Sequence, residues 1–146
     1  MITAYTDGAV RVSNPGMASC AWVLYKDGKE VTHESRYLGP ELRTNNYAEY
    51  MALLDLLQYL CESHIRNVII HCDSKLVVNQ VNDMWDVNEQ ALIPLWVKAY
   101  GLLIHGCHVL KHVKGHDGNP GNEAVDRLCN DVLDQHKEEY ETMATD

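Results

Sequence analysis

The chain contains 146 residues, 46% of them hydrophobic, and carries a formal net charge of −9 at pH 7. Its length and apolar content fit one globular domain over residues 1–146 with a genuine core, and no apolar run is long enough to span a bilayer. The five cysteines are an odd set without a CxxC pair, so they indicate reduced, buried thiols rather than a zinc site. Because no basic or apolar segment precedes the strand-like run at Ile2, we expect no secretory signal and a cytoplasmic protein.

The negative charge is concentrated at one end of the chain. Residues 130–146 contain six acids and one lysine, a net charge of −5, which leaves 15 acids and 11 bases, or −4, in the other 129 residues. A negative chain argues against a nucleic-acid partner, since phosphate binding draws on Lys and Arg. Four of the remaining acids are candidate metal ligands, however, and two bound divalent ions would bring this part close to neutral. From about residue 137 onward we expect the end of the chain to fray.

The first third of the chain predicts three antiparallel strands. Apolar and polar residues alternate within each run, and residues typical of tight turns separate one run from the next. The runs are 2–9, 17–25 and 30–38, with turns at Asn14-Pro15-Gly16 and Asp27-Gly28.

A helix and a buried strand follow. Apolar residues recur at helical spacing over 46–61, with Thr44 or Asn45 available to cap the helix. The short β-branched run at 67–72 is typical of a buried strand, which the helical crossover would return parallel to the first strand.

The last part of the chain predicts further helices around one more strand. Pro94 bends or restarts the second of these helices. The segments are helices at 75–84 and 90–104 with an interruption at 85–88, a strand at 107–113, a polar loop at 116–121 and a helix from about residue 122.

Four carboxylates, Asp7, Glu49, Asp73 and Asp126, occur in local sequences that would direct them to one point. Asp7 is followed by Gly8, which permits close backbone approach, and Glu49 lies beside the apolar face of the first helix. Asp73 follows the buried strand at its carboxyl end, where open α/β sheets place ligand sites. Taken singly, each acid has a simpler explanation, such as a turn, a helix cap, or a boundary glutamate satisfied by arginine or water.

The combination of the four acids favours a metal site. Carboxylates gathered this closely repel one another and destabilise the fold unless a cation lies between them, and oxygen ligands suit Mg²⁺ or Mn²⁺. Two such ions are suited to phosphodiester hydrolysis.

Four short blocks of residues occur in an order that resembles type 1 ribonuclease H. The blocks are Tyr5-Thr6-Asp7-Gly8, Thr44-Asn45-Asn46 with Ala48-Glu49, Cys72-Asp73-Ser74, and Val113-Lys114-Gly115-His116 with Asn122, Glu123 and Asp126. The resemblance covers nearly the whole chain. It implies an α/β fold with a five-stranded mixed sheet, three antiparallel strands and then two parallel additions, flanked by helices. It also implies an endonuclease that cuts the RNA strand of an RNA–DNA hybrid.

The resemblance implies roles for the four acids around two Mg²⁺ ions, for which Mn²⁺ can substitute. Asp7 would bridge the ions, and Asp126 would complete the ion that activates the attacking water. Glu49 and Asp73 would hold the ion near the leaving oxygen, so that the pair stabilises both oxygens of an in-line displacement.

Other residues acquire roles from the same resemblance. His116 matches a loop histidine that assists proton transfer or product departure, whereas His71 and His112 lack that context and are expected to be structural. Substrate contacts are implied for Thr44 at a DNA phosphate, for Asn45 and Asn46 at 2′-hydroxyls or base edges in the minor groove, and less securely for Asn88.

One region departs from part of the family. Some members carry a basic, Trp-rich helical protrusion after the third acid, whereas residues 82–86 here are short and acidic. The chain therefore resembles the compact forms, and its affinity for the hybrid would be weak or assisted by a partner or by lysines. The candidate lysines are Lys75, Lys98, Lys111 and Lys114.

Two alternatives to the hybrid nuclease remain at this stage. The protein could be a non-catalytic hybrid-binding module, although a binder gains nothing from mutually repelling carboxylates. It could also be a DNA-directed relative such as a resolvase or exonuclease, against which the Asn45-Asn46 pair and the small size count. We expect a monomer with no membrane partner.

Overall fold

The computed structural model describes residues 1–115 and 118–138 and forms, within them, a five-stranded mixed sheet with helices on both faces. The strand order is β3-β2-β1-β4-β5; β1, β2 and β3 pair antiparallel, and β4 and β5 continue parallel to β1. The predicted α/β architecture is therefore confirmed. The elements are β1 (Ile2–Arg11), β2 (Met17–Lys26), β3 (Lys29–Tyr37), α1 (Asn45–Glu62), β4 (Ile69–Cys72), α2 (Lys75–Val81), a 3₁₀ turn (Gln90–Leu92), α3 (Ile93–His105), β5 (Val109–His112) and α4 (Pro120–Gln135).

The short parallel strands are shorter than the sequence predicts. β4 begins at Ile69 rather than residue 67, and β5 covers Val109–His112 rather than 107–113. Asn67 and Cys107 have φ angles of 60° and 56°, which lie in the left-handed region and cannot continue an extended strand. Both predicted strands therefore begin two residues too early.

The helix boundaries differ for similar local reasons. α2 ends at Val81 rather than residue 84, because Asp83 has a φ of 63°. α3 restarts with Pro94 in its first turn, so the proline begins a helix rather than bending one. α4 begins at Pro120 rather than about 122, because the Asn119 side chain caps it by accepting from the N–H groups of Gly121 and Asn122.

Side-chain alternation along the central strands separates two layers of core. Even-numbered residues of β1 and β2, such as Ala4 and Trp22, face α1, α2 and α3 in the main core. Odd-numbered residues such as Ala21 and Val23 face α4, where they pack with Val125. The central strands are therefore covered on both faces, and helices from both layers approach β1.

Gly8 permits the close approach of α1 to β1. A Cβ atom at this position would overlap the backbone of Ala48 and Glu49. The absence of a side chain therefore lets the first turns of α1 lie directly on β1, which brings Glu49 to the strand that carries Asp7.

Two remaining expectations concern the ends of the chain and membranes. Among the residues that the structure describes, no helix is both long enough and apolar enough to cross a bilayer. The segment predicted to fray from about residue 137 lies mostly outside the described residues, which end at 138.

We predict that Gly8→Ala lowers the free energy of unfolding by about 1–3 kcal/mol, because the new methyl group forces β1 and α1 apart. The matched control is Gly101→Ala in α3, where a Cβ atom meets nothing within 4 Å. That change should stabilise the protein by about 1 kcal/mol through helix propensity alone. Urea denaturation of both variants gives the comparison, and a Gly8→Ala variant as stable as wild type would contradict the close approach.

Candidate active site

Two of the predicted ligands follow the last paired residues of neighbouring parallel strands. The β1–β4 register ends with Thr6 opposite Cys72, so Asp7 and Asp73 are the next residues on each strand. β4 ends at Cys72 while β1 continues beyond Thr6, which leaves a notch in the sheet at this point. Because paired strands lie about 4.8 Å apart, both acids lie at the edge of this notch. Asp73 is not the helix cap that it could have been. Ser74 caps α2, and its Oγ accepts from the Val77 N–H at 3.2 Å.

Glu49 reaches the same notch from α1. It is only 4% exposed, and its Oε1 accepts a hydrogen bond from the backbone N–H of Gly8. The Asp7 carboxyl group lies close enough to raise the pKa of Glu49. The simpler explanation, a boundary glutamate satisfied by arginine or water, is not what the structure shows, because its partner is the backbone of β1.

Asp126 enters from the opposite face of the sheet on α4. Its carboxyl group lies close enough to that of Asp7 to raise the pKa of Asp7. One turn later, the Cys129 thiol donates to the backbone oxygen of Asp7 at 3.2 Å, which holds α4 against β1. The structure therefore brings together acids from β1, α1, the end of β4 and α4.

The two innermost carboxyl groups resist ionisation in the absence of a cation. Burial, followed by the charges of Asp73 and Asp126, raises the pKa of Asp7 to about 8. Burial and the charges of Asp7 and Asp73 raise the pKa of Glu49 well above its usual value. The hydrogen bonds that oppose these shifts come from Glu49 to Asp7 and from the Gly8 N–H to Glu49. The ionised form of this cluster therefore requires positive charge from outside the protein.

The donor set fits a divalent cation. Carboxylate oxygens of Glu49 and Asp73 lie within 4.8 Å of each other, with Asp7 in contact with Glu49. Hard cations such as Mg²⁺ take carboxylate oxygens from separate elements in this way.

Cys72 lies beside these ligands, which the sequence did not indicate. Its Sγ lies within 4.8 Å of the nearest carboxylate oxygens of Glu49 and Asp73, and the residue is fully buried. The sequence predicted only a buried hydrophobic residue at this position. Its place immediately before Asp73 is the one local feature associated with the site.

The proposed substrate contacts lie at the start of α1 and in one loop. Thr44 caps α1, with its Oγ1 accepting from the Tyr47 N–H at 3.1 Å. Asn45 is exposed at the first position of α1, one helical turn before Glu49, and Asn46 is half-buried beside it. Asn88 is exposed in the loop between α2 and the 3₁₀ turn.

His116, the proposed proton-transfer residue, lies outside the described residues. The preceding residue, Gly115, lies against the site, because a Cβ atom there would be 3.2 Å from Oδ2 of Asp73. The chain therefore passes the acid cluster immediately before His116.

Known proteins with similar sequence and structure share one family description. The RNase H family model matches residues 1–134. A ribonuclease HI of Halobacterium salinarum is 36% identical over 135 residues, covering 91% of this chain and 64% of that relative, so the chain spans less than two thirds of its length. A ribonuclease H of Francisella tularensis subsp. novicida is 32% identical over 145 residues, 90% of each protein. The crystal structure of LC11-RNase H1 in complex with RNA/DNA hybrid has a TM-score of 0.81 and 29% identity, covering 93% of this chain and 99% of that one.

We predict that the metal-free protein loses stability as the pH rises. The pKa of Asp7 in the folded state, about 8, exceeds its ordinary value of 3.8. Between these two pH values the folded state keeps a proton on Asp7 that the unfolded state has released, so raising the pH favours unfolding. Melting temperatures in chelator should therefore fall between about pH 5 and pH 8, and millimolar Mg²⁺ should raise them most at the upper end.

The control for this prediction is Asp7→Asn, which removes the titrating group. Its melting temperature should depend less on pH and respond less to Mg²⁺ than that of wild type. A wild-type curve that is flat across this range and unchanged by Mg²⁺ would contradict the prediction.

Proposed function

Because the chain belongs to the ribonuclease H family, we propose that it hydrolyses the RNA strand of RNA–DNA hybrids with two Mg²⁺ ions, for which Mn²⁺ can substitute. The observation that carries this proposal is the convergence of four acids from separate elements at the end of β4. Two of them, Asp7 and Glu49, are buried in contact with each other. The hybrid bound in the LC11-RNase H1 complex supports the choice of substrate.

We assign the ion positions by which acids contact each other. Both Glu49 and Asp126 lie close enough to Asp7 to shift its pKa, so Asp7 would be the acid shared between the two ions. Asp126 would complete one ion, and Glu49 with Asp73 would hold the other. Such a pair, when bound, activates water and stabilises the attacking and leaving oxygens of an in-line displacement.

The protein supplies rigidity to this arrangement. The Gly8 N–H fixes one oxygen of Glu49, and Cys129 fixes the backbone of Asp7. Because burial removes water from Asp7 and Glu49, these groups cannot relax away from each other by solvation, and the ligands are held in place before the substrate arrives. We assign His116 to proton transfer or product departure.

Discrimination of RNA from DNA would come from the start of α1. The side chains of Asn45 and Asn46 offer both donors and acceptors for 2′-hydroxyls, which only the RNA strand carries. The Thr44 hydroxyl accepts one hydrogen bond and retains its proton, so it can donate to a phosphate of the DNA strand. Asn88 is the remaining candidate for a hybrid contact.

We predict that Asp7→Asn reduces cleavage of a labelled RNA–DNA hybrid by roughly 100-fold or more in Mg²⁺, because it removes the charge shared by both ions. Asp27→Asn is the charge-matched control, since its side chain is 72% exposed on the β2–β3 turn and asparagine tolerates its positive φ. The control should retain wild-type cleavage.

The same assay tests the substrate class. Single-stranded RNA, double-stranded RNA and duplex DNA should not be cleaved, and excess chelator should stop cleavage of the hybrid. Binding of the hybrid without turnover in Mg²⁺ or Mn²⁺ would indicate a non-catalytic module instead, and preferential cleavage of duplex DNA would indicate a DNA-directed nuclease.

A further inference from the structure

The acid cluster contains a sulfur ligand that the proposed magnesium chemistry does not use. The Sγ of Cys72 and carboxylate oxygens of Glu49 and Asp73 all lie within 4.8 Å of one another. Mg²⁺ prefers oxygen ligands and gains little from a thiol, whereas thiolate binds softer cations strongly. Cys72, Glu49 and Asp73 together therefore form a mixed sulfur and oxygen ligand set that suits a softer cation than Mg²⁺.

A buried hydroxyl group, that of Thr6, lies beside these three side chains. Thr6 lies opposite Cys72 in the β1–β4 register, and its hydroxyl lies against the Cys72 thiol. Thr6 is 1% exposed, and its Oγ1 has no hydrogen-bond partner meeting normal geometry among the described residues. A buried hydroxyl without a partner is costly, and a bound ion with its water would give it one.

We propose that Cys72, Glu49 and Asp73 form a binding site for a thiophilic divalent cation of the Zn²⁺ and Cd²⁺ class. Bond lengths of about 2.3 Å to sulfur and about 2.0–2.2 Å to oxygen place the ligands of a tetrahedral zinc ion roughly 3.3–3.8 Å apart. Small side-chain movements bring the present group to these spacings. Binding replaces the thiol proton, which leaves to solvent, and a fourth position remains for water.

Occupation of this site would inhibit the enzyme, and this part of the inference rests on the proposed function. Glu49 and Asp73 are the residues that we assign to the magnesium ion near the leaving oxygen. A zinc ion held by Cys72 would occupy the same two carboxylates and exclude Mg²⁺. The thiol therefore makes the site sensitive to soft metals.

The structure groups no other described cysteine with two carboxylates in this way. Cys20 hydrogen-bonds one acid, Asp55, which is already paired with Arg36. Cys129 donates to a backbone oxygen, and Cys61 and Cys107 are exposed. A test must remove the exposed pair, because exposed thiols bind soft metals without a built site.

The first test measures binding without activity. In a Cys61→Ser/Cys107→Ser background, Cd²⁺ added to the metal-free protein should produce thiolate-to-cadmium charge-transfer absorption that saturates at one ion per chain. Cys72→Ser should abolish the absorption, the buried control Cys129→Ser should retain it, and Glu49→Gln should weaken binding while keeping the thiol.

Two outcomes would overturn the site. One is absence of the absorption in the background protein that keeps Cys72, which requires no folded Cys72 variant. The other is its persistence after Cys72→Ser or, if circular dichroism shows that variant to be unfolded, after Cys72→Ala.

The second test measures inhibition of hybrid cleavage in Mg²⁺, with each variant compared with its own zinc-free rate. Zn²⁺ should inhibit the background protein, excess Mg²⁺ should relieve the inhibition, and Cys72→Ser should raise the half-inhibitory zinc concentration by about 100-fold or more. Equal inhibition of both proteins would contradict the role of Cys72. If the background protein binds cadmium but does not cleave the hybrid even without zinc, the proposed function is refuted. If it cleaves the hybrid but does not bind cadmium, only the present inference is refuted.

Discussion

The direct contact between the backbones of β1 and α1 at Gly8 is the constraint on which the site depends. It lets α1 lie close enough for the buried Glu49 carboxylate to accept from the N–H of Gly8, the residue that follows Asp7. With any side chain at that position, the helix would stand off from the strand by the thickness of a methyl group or more. The distance between the carboxyl groups of Asp7 and Glu49, which we propose to be catalytic, therefore depends on the absence of a side chain at position 8.

The same closeness creates an electrostatic cost that the rest of the fold offsets. Burial and the charges of neighbouring acids raise the pKa of both Asp7 and Glu49, so ionising these two groups opposes folding. The opposing contributions are apolar. The main core beneath α1, and the smaller layer where Val125 and Cys129 of α4 pack on β2, hold the elements in place without help from the site. Apolar packing therefore offsets the electrostatic cost of burying these carboxyl groups close together.

Parts of this arrangement could be predicted from sequence because they depend on local patterns. Alternation identified the strands, and the position of Asp73 after a buried strand correctly placed it at the carboxyl end of β4. The strand ends could not be predicted, because Asn67 and Cys107 adopt left-handed conformations that their residue types do not require. The partner of Glu49 and the surroundings of Cys72 depend on contacts between residues distant in sequence, and periodicity carries no information about them.

The charge distribution explains how an acidic chain can act on a polyanion. Lys75, Lys98, Lys111 and Lys114 are all exposed, but they belong to different elements, and residues 82–89 join α2 to the 3₁₀ turn without a helix that could carry a basic protrusion. Under the proposed function, cations at the acid cluster would add attraction for phosphate and would offset the −4 carried by residues 1–129. Under the proposed function, metal binding and substrate binding would be coupled. Each ion would relieve the repulsion within the acid cluster and would supply positive charge for a phosphodiester. A Zn²⁺ ion held by Glu49, Asp73 and the Cys72 thiolate would also relieve this repulsion, but the thiolate would lower the net positive charge left for a phosphodiester.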